Sequence, residues 1–141
     1  MILRSPRRNG FTLLEIMLVV MIIALLAGAA IYTMGGNVGV AQGVRVHSDI
    51  EGISTQLKLY QSFNGFLPTT AQGLQALVTR PEGEPKPRQW SQLFDKVPLD
   101  PWQNPYIYVQ PGKHNPNSFD LYSAGSDRKP DTDDDIGNWD K

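Results

Sequence analysis

Glu15 is the only charge in the 21 residues from Phe11 to Ile31, of which 18 are Ala, Val, Ile, Leu, Met or Phe. Placing a carboxylate in such a run inside a bilayer costs on the order of 2.5–3.5 kcal/mol, so the position reads as functional. Just before it stand Arg8-Asn9-Gly10-Phe11, a basic residue, a polar one, a glycine and an aromatic. A second concentration of chemistry lies near the other end. Residues 127–135 read Asp127-Arg128-Lys129-Pro130-Asp131-Thr132-Asp133-Asp134-Asp135, five carboxylates in nine positions. These are hard oxygen donors, of which calcium gathers about six to eight. Composition alone leaves a solvated acidic loop and a cation site equally open. An EF-hand is excluded by counting: with Asp131 first, the sixth position is Ile136 rather than glycine, and the twelfth lies past Lys141.

Other chemistry is poorly supplied. The chain has no cysteine, which removes thiolate nucleophiles, thiolate metal sites and disulfides. His47 and His114 are the two histidines; the first falls outside the apolar stripe of its helix and the second in a turn. No Gly-x-Ser-x-Gly, His-Glu-x-x-His or phosphate-binding loop occurs. Paired carboxylates can hydrolyse glycosides, but a globular part of roughly 80 residues leaves little room for the cleft this needs. No enzyme is expected. With 13 basic and 14 acidic residues the net charge is −1, and loss of Arg4, Arg7 and Arg8 with a leader makes it more acidic. That balance argues against nucleic acid as a partner.

The elements that must position these groups follow from periodicity. As a helix, residues 11–31 extend about 31 Å, enough to span a bilayer core. A cleavable secretory signal fits poorly with a carboxylate in its apolar part, and a plain signal anchor explains the arginines but leaves Glu15 without a partner. Gly35, Gly36 and Gly39 each cost roughly 1 kcal/mol relative to alanine in a helix. They predict a loosened stretch over 32–39, read either as a flexible neck or as a helix break. Beyond it Val40, Val44, Ile50, Ile53, Leu57, Tyr60 and Phe63 mark one buried stripe of a helix that Asn64-Gly65 ends. A short second helix is expected after Leu67-Pro68-Thr69-Thr70, with Leu74, Leu77 and Val78 inward and a stop at Arg80-Pro81. The loop after it is anchored by Trp90, Leu93, Phe94, Val97 and Leu99. Tyr106–Val109 and Phe119–Ser123 read as antiparallel strands, with a short third at 136–139. The fold class is α+β, a long amino-terminal helix laid across a small antiparallel sheet.

Gly10-Phe11-Thr12-Leu13-Leu14-Glu15 resembles the type IV prepilin signal. Asp100-Pro101-Trp102, Pro105-Tyr106, Ser123-Ala124-Gly125-Ser126-Asp127 and Asp134-Asp135-Ile136-Gly137-Asn138-Trp139 resemble the major pseudopilins of type II secretion systems, so the likeness covers nearly the whole chain. It implies a pilin-like fold whose long helix is transmembrane in its first half. It also implies a leader at 1–10 removed by a prepilin peptidase between Gly10 and Phe11, methylation of the Phe11 amine, a transmembrane and polymerisation helix at 11–31, and a periplasmic domain at 32–141. Glu15 would then face the Phe11 amine of a neighbouring subunit. The implied cofactor is calcium pinning the C-terminal loop, on Asp127, Asp134 and Asp135 with backbone carbonyls at Ala124 and Thr132. Arg128, Lys129 and Pro130 depart from the family's more glycine-rich loop. The implied function is a structural subunit of a periplasmic homopolymer, the pseudopilus, that aids export of folded proteins. Its partners would be minor pseudopilins, an inner-membrane assembly platform with its ATPase, and inner-membrane lipid, crossed once. The alternative is a type IV pilin for adhesion, motility or DNA uptake; the absence of a cysteine pair and the Asp134-Asp135-Ile136 ending speak against it.

Overall fold

The computed structural model of the protein describes residues 11–140, with backbone alone for 33–38. Arg4, Arg7, Arg8 and Gly10, on which the leader reading rests, lie outside the described residues. The chain divides into two compact units, Met1–Val40 and Ala41–Lys141.

One helix, α1 (Leu13–Asn64), accounts for 52 residues. Thr12 starts it: its hydroxyl accepts the Glu15 amide at 3.2 Å and its carbonyl accepts the Ile16 amide at 3.2 Å. Thr12-x-x-Glu15 is thus also the pattern of an N-terminal capping box. In the first unit, Leu13–Tyr32 forms 20 residues long and apolar enough to cross a membrane, all of them exposed. The loosened stretch expected at 32–39 is absent; the backbone stays α-helical through Gly35, Gly36 and Gly39. A helix already propagating on both sides tolerates glycines at roughly 1 kcal/mol each, far less than the cost of a new nucleus.

In the second unit the buried stripe of α1 is Val46, Ile50, Ile53, Leu57, Tyr60 and Asn64. Val40 and Val44 are exposed and Phe63 is 43% exposed, so the expected stripe is corrected at both ends. Gly65, at φ 82°, closes the helix in the left-handed conformation by donating to Gln61 O at 2.7 Å. Asn64 adds its own cap, donating to Tyr60 O and accepting the Gln89 amide, both at 3.0 Å.

The expected second helix shrinks to one 3-10 turn, Leu74–Leu77. Thr69 and Gln72 do form a reciprocal cap, each side chain accepting the other's amide. Gly73, at φ 57°, then breaks the path before an α-helix can propagate. Leu74 and Leu77 are buried as read, while Val78 is half-buried. The loop that follows is tied back by Trp90 Nε1 donating to Ala76 O and by the Leu93 and Phe94 amides donating to Leu77 O. Trp90, Leu93, Phe94 and Val97 pack on the core; Leu99, expected as an anchor, is 41% exposed.

Three antiparallel strands follow in the order β1 (Ile107–Val109), β2 (Asp120–Ser123) and β3 (Ile136–Gly137), with β2 central. Tyr108 pairs with Leu121 and Ser123 with Ile136. Tyr106, Tyr108 and Leu121 join the helix stripe, Leu67, Leu74, Leu77 and Phe119 in a single core. Asn138 extends the sheet with its side chain, donating to Phe119 O and accepting the Leu121 amide.

Candidate functional site

Two places in the fold concentrate polar chemistry. Phe11, just before α1, and Glu15, in its first turn, are exposed, and Glu15 makes no ion pair among the described residues. Its amide is satisfied by Thr12, and its side chain is exposed.

At the other end, the loop between β2 and β3 folds around Asp134. Asp134 Oδ2 accepts the Ser126 amide at 2.9 Å, the Ser126 hydroxyl at 3.1 Å and the Asp127 amide at 3.1 Å. Its Oδ1 accepts the Thr132 hydroxyl at 2.8 Å. The Thr132 hydroxyl and these amides hold the Asp134 carboxyl down to about 2. Asp127 Oδ1 lies 3.5 Å from the same Thr132 hydroxyl and accepts the Lys129 amide. Asp127 and Asp134 are therefore brought together across Thr132. Asp135 turns its Oδ2 towards the Asp131 and Thr132 amides, while its Oδ1 is buried with no hydrogen-bond partner among the described residues. The Thr132 carbonyl accepts the Asp135 amide, and Ala124 is buried. Gly125, at φ 62°, sits so close to Asp134 that a Cβ there would collide with its carbonyl and Oδ2.

These donors suit a hard cation by type, and the orphaned Asp135 Oδ1 is a buried lone pair without a proton to accept. No three acidic or histidine side chains among the described residues are grouped so as to hold a metal ion unaided. Backbone carbonyls would have to complete the set.

Two buried carboxyl groups to which sequence reasoning gave no role lie in the same unit. Asp100 is fully buried; Oδ1 accepts the Trp102 and Asn104 amides and Oδ2 accepts the Ser123 hydroxyl at 2.6 Å. Asp120, on β2, accepts the amide and Nδ1 of His114 and the amide and Nδ2 of Asn115. Burial opposes its ionisation, but the His114 and Asn115 donors outweigh that and lower its pKa. The signal that could have found Asp100 is its place before Pro101 in a turn, where an aspartate accepts amides two and four residues on. For Asp120 none was visible, since a carboxylate in a strand reads as solvent-facing. His114 lies against Asp120 and stacks on Trp139 with ring centroids 3.9 Å apart, and His47 is exposed as read.

Comparison with known proteins bears on both places. Residues 33–139 match the family described as type II secretion system (T2SS), protein G, and residues 5–31 match the prokaryotic N-terminal methylation motif. The type II secretion system core protein G of Pseudomonas aeruginosa is 43% identical over 143 aligned positions, covering 98% of this chain and 99% of that one. The protein of the same description from Escherichia coli K12 is 40% identical, covering 96% and 93%. The crystal structure of the major pseudopilin from the type 2 secretion system of enterohaemorrhagic Escherichia coli superposes with a TM-score of 0.68 at 40% identity. It covers 74% of this chain and 87% of that one.

Proposed function

Because the chain belongs to the family of type II secretion system protein G, the major pseudopilins, we propose that it polymerises through α1 into a periplasmic pseudopilus that aids export of folded proteins across the outer membrane. The observation that carries this reading is the wholly exposed apolar helix Leu13–Tyr32 with one carboxyl group, Glu15, at its start. Such a surface needs lipid before assembly and other copies of itself afterwards. In this scheme a prepilin peptidase cuts after Gly10 and the Phe11 amine is methylated. Glu15 then meets that amine on a neighbouring copy. Paired burial offsets a desolvation cost that neither charge recovers alone. Before assembly the chain crosses the inner membrane once, with Ala41–Lys141 in the periplasm. The assembly platform and its ATPase supply the work, and minor pseudopilins complete the filament. Between the two filament classes open from the sequence, the match over 33–139 favours secretion over a type IV pilin. Glu15→Ala is expected to leave leader removal largely intact while abolishing filaments and secretion, scored by immunoblot mobility, sheared-filament yield and secreted-protein level. Abundant filaments from that variant would refute the pairing.

For the acidic loop the cofactor we propose is calcium, held by Asp127 and Asp134 with Asp135 and the carbonyls of Ala124 and Thr132. Bound there it would supply charge neutralisation and loop restraint, the part a disulfide plays where cysteines exist. Specific binding at a hundredfold over Kd adds about 2.7 kcal/mol. The melting temperature of the full chain in detergent should therefore rise with calcium, not with magnesium, and not in Asp134→Ala. A melt indifferent to calcium and chelator would refute the cofactor.

A further inference from the structure

The turn at Asp100 and the acidic loop are distant in sequence but joined through one hydroxyl. Ser123, fully buried at the end of β2, donates to Asp100 Oδ2 at 2.6 Å and accepts the Gly125 amide at 3.2 Å. Asp100 does not need this bond to hold its own turn. That turn is already closed by the Asp100 amide on Asn104 O, the Gln103 amide on Asp100 O, and two amides on Asp100 Oδ1. The Oδ2 contact therefore serves something across 23 residues. What lies beyond it is Gly125, whose left-handed backbone is pressed against the carbonyl and carboxyl of Asp134. The Ser126 and Asp127 amides that follow donate to the same carboxyl.

We infer that Asp100 and Ser123 are positioning residues for the cation site of the acidic loop. Accepting the Ser123 proton orients the hydroxyl lone pair at the Gly125 amide. This fixes where β2 ends and where the left-handed turn begins. Gly125 then sets the approach of Asp134, and the two amides after it set the spacing of Asp134 from Asp127. The chain from Asp100 to Ser123, Gly125 and Asp134 consists of buried hydrogen bonds and one contact too close for a side chain, so a shift at either end is transmitted rather than absorbed. Neither Asp100 nor Ser123 is among the groups that would hold the cation. The inference rests on the calcium reading above.

The test is the calcium Kd of the full chain in detergent, by calorimetry, set against metal-free stability read from tryptophan fluorescence. Trp90, Trp102 and Trp139, all the tryptophans in the chain, lie in the second unit. Ser123→Ala removes the hydroxyl. Asp100→Asn keeps the size and the Oδ1 acceptor but removes the Oδ2 acceptor, and it serves if Ser123→Ala does not fold. Ile53→Val, a change in the buried stripe of α1, calibrates general destabilisation. Either loop variant is expected to weaken calcium at least tenfold beyond the Ile53→Val control and to speed amide exchange at Gly125. Wild-type affinity in a folded Ser123→Ala or Asp100→Asn chain overturns the inference and leaves the calcium reading standing. Wild-type protein that binds no calcium overturns both.

Discussion

Asp120→Asn isolates the value of a buried charge whose four partners are all donors. Oδ1 accepts from the amide and Nδ2 of Asn115, and Oδ2 from the amide and Nδ1 of His114. An asparagine can present its oxygen to one pair only and must turn an NH2 group on the other, whichever way the amide is flipped. Two hydrogen bonds to a charged acceptor are lost, at about 1.5–3 kcal/mol each. His114 and Asn115 can still reach water, which favours the lower end, so the cost is about 3 kcal/mol. In a unit of this size that lowers Tm by roughly 12–24 °C. The acid limb gives the sign. The folded-state pKa of Asp120 is lowered, so its contribution is fully present above the unfolded value near 3.9 and fades as pH falls through the folded value. The assay is tryptophan-fluorescence melting of both chains from pH 7 downwards. The gap in Tm should hold to about pH 4 and narrow below it. Equal melting at pH 7, or a gap indifferent to acid, would refute the reasoning.

Two further outcomes follow from the core. Leu57→Ala, at a fully buried position midway along the α1 stripe, should cost about 3–5 kcal/mol through lost burial and a cavity; a loss under about 1 kcal/mol in denaturant titration would mean that the stripe is not the core's centre. Tyr60→Phe should be neutral or stabilising, by up to about 1 kcal/mol, because the Tyr60 hydroxyl is buried with no hydrogen-bond partner among the described residues. A clear fall in Tm for Tyr60→Phe would show that the hydroxyl is satisfied in solution.

Much of this was readable from residue types, and the misses have physical causes. The α1 stripe runs 46, 50, 53, 57, 60, 64, alternating steps of four and three. Choosing Val44 instead of Val46 required a step of six to Ile50, which at about 100° per residue lands well off the face. At the far end hydrophobicity pointed to Phe63, whereas the stripe is completed by Asn64, a polar residue that belongs inside because both ends of its amide are bonded. The first strand was legible because β-branched and aromatic residues run between Pro105 and Pro111. The short helix after Thr70 was overread because a glycine at positive φ looks in sequence like any other glycine. In the candidate site Asp127 and Asp134, two of the residues singled out, lie on either side of the Thr132 hydroxyl. Asp100 and Ser123 fell within the motifs of the family resemblance, but their burial and their pairing were not legible, because burial of a single polar residue has no periodic signature. Their partners lie 23 residues apart.

The cap at the end of α1 also bears on how the protein ages. Asn64-Gly65 is the dipeptide most prone to cyclise, since a glycine amide can readily attack the preceding side-chain carbonyl and expel ammonia. Here the attacking nitrogen donates to Gln61 O at 2.7 Å, and the Asn64 amide is held by Tyr60 O and the Gln89 amide in a site only 8% exposed. Neither group is free to move onto the other while the helix end is closed. Succinimide formation thereby becomes a slow clock that runs when this end of the helix opens, and the isoaspartate it leaves would be a chemical record of time spent with the helix end open.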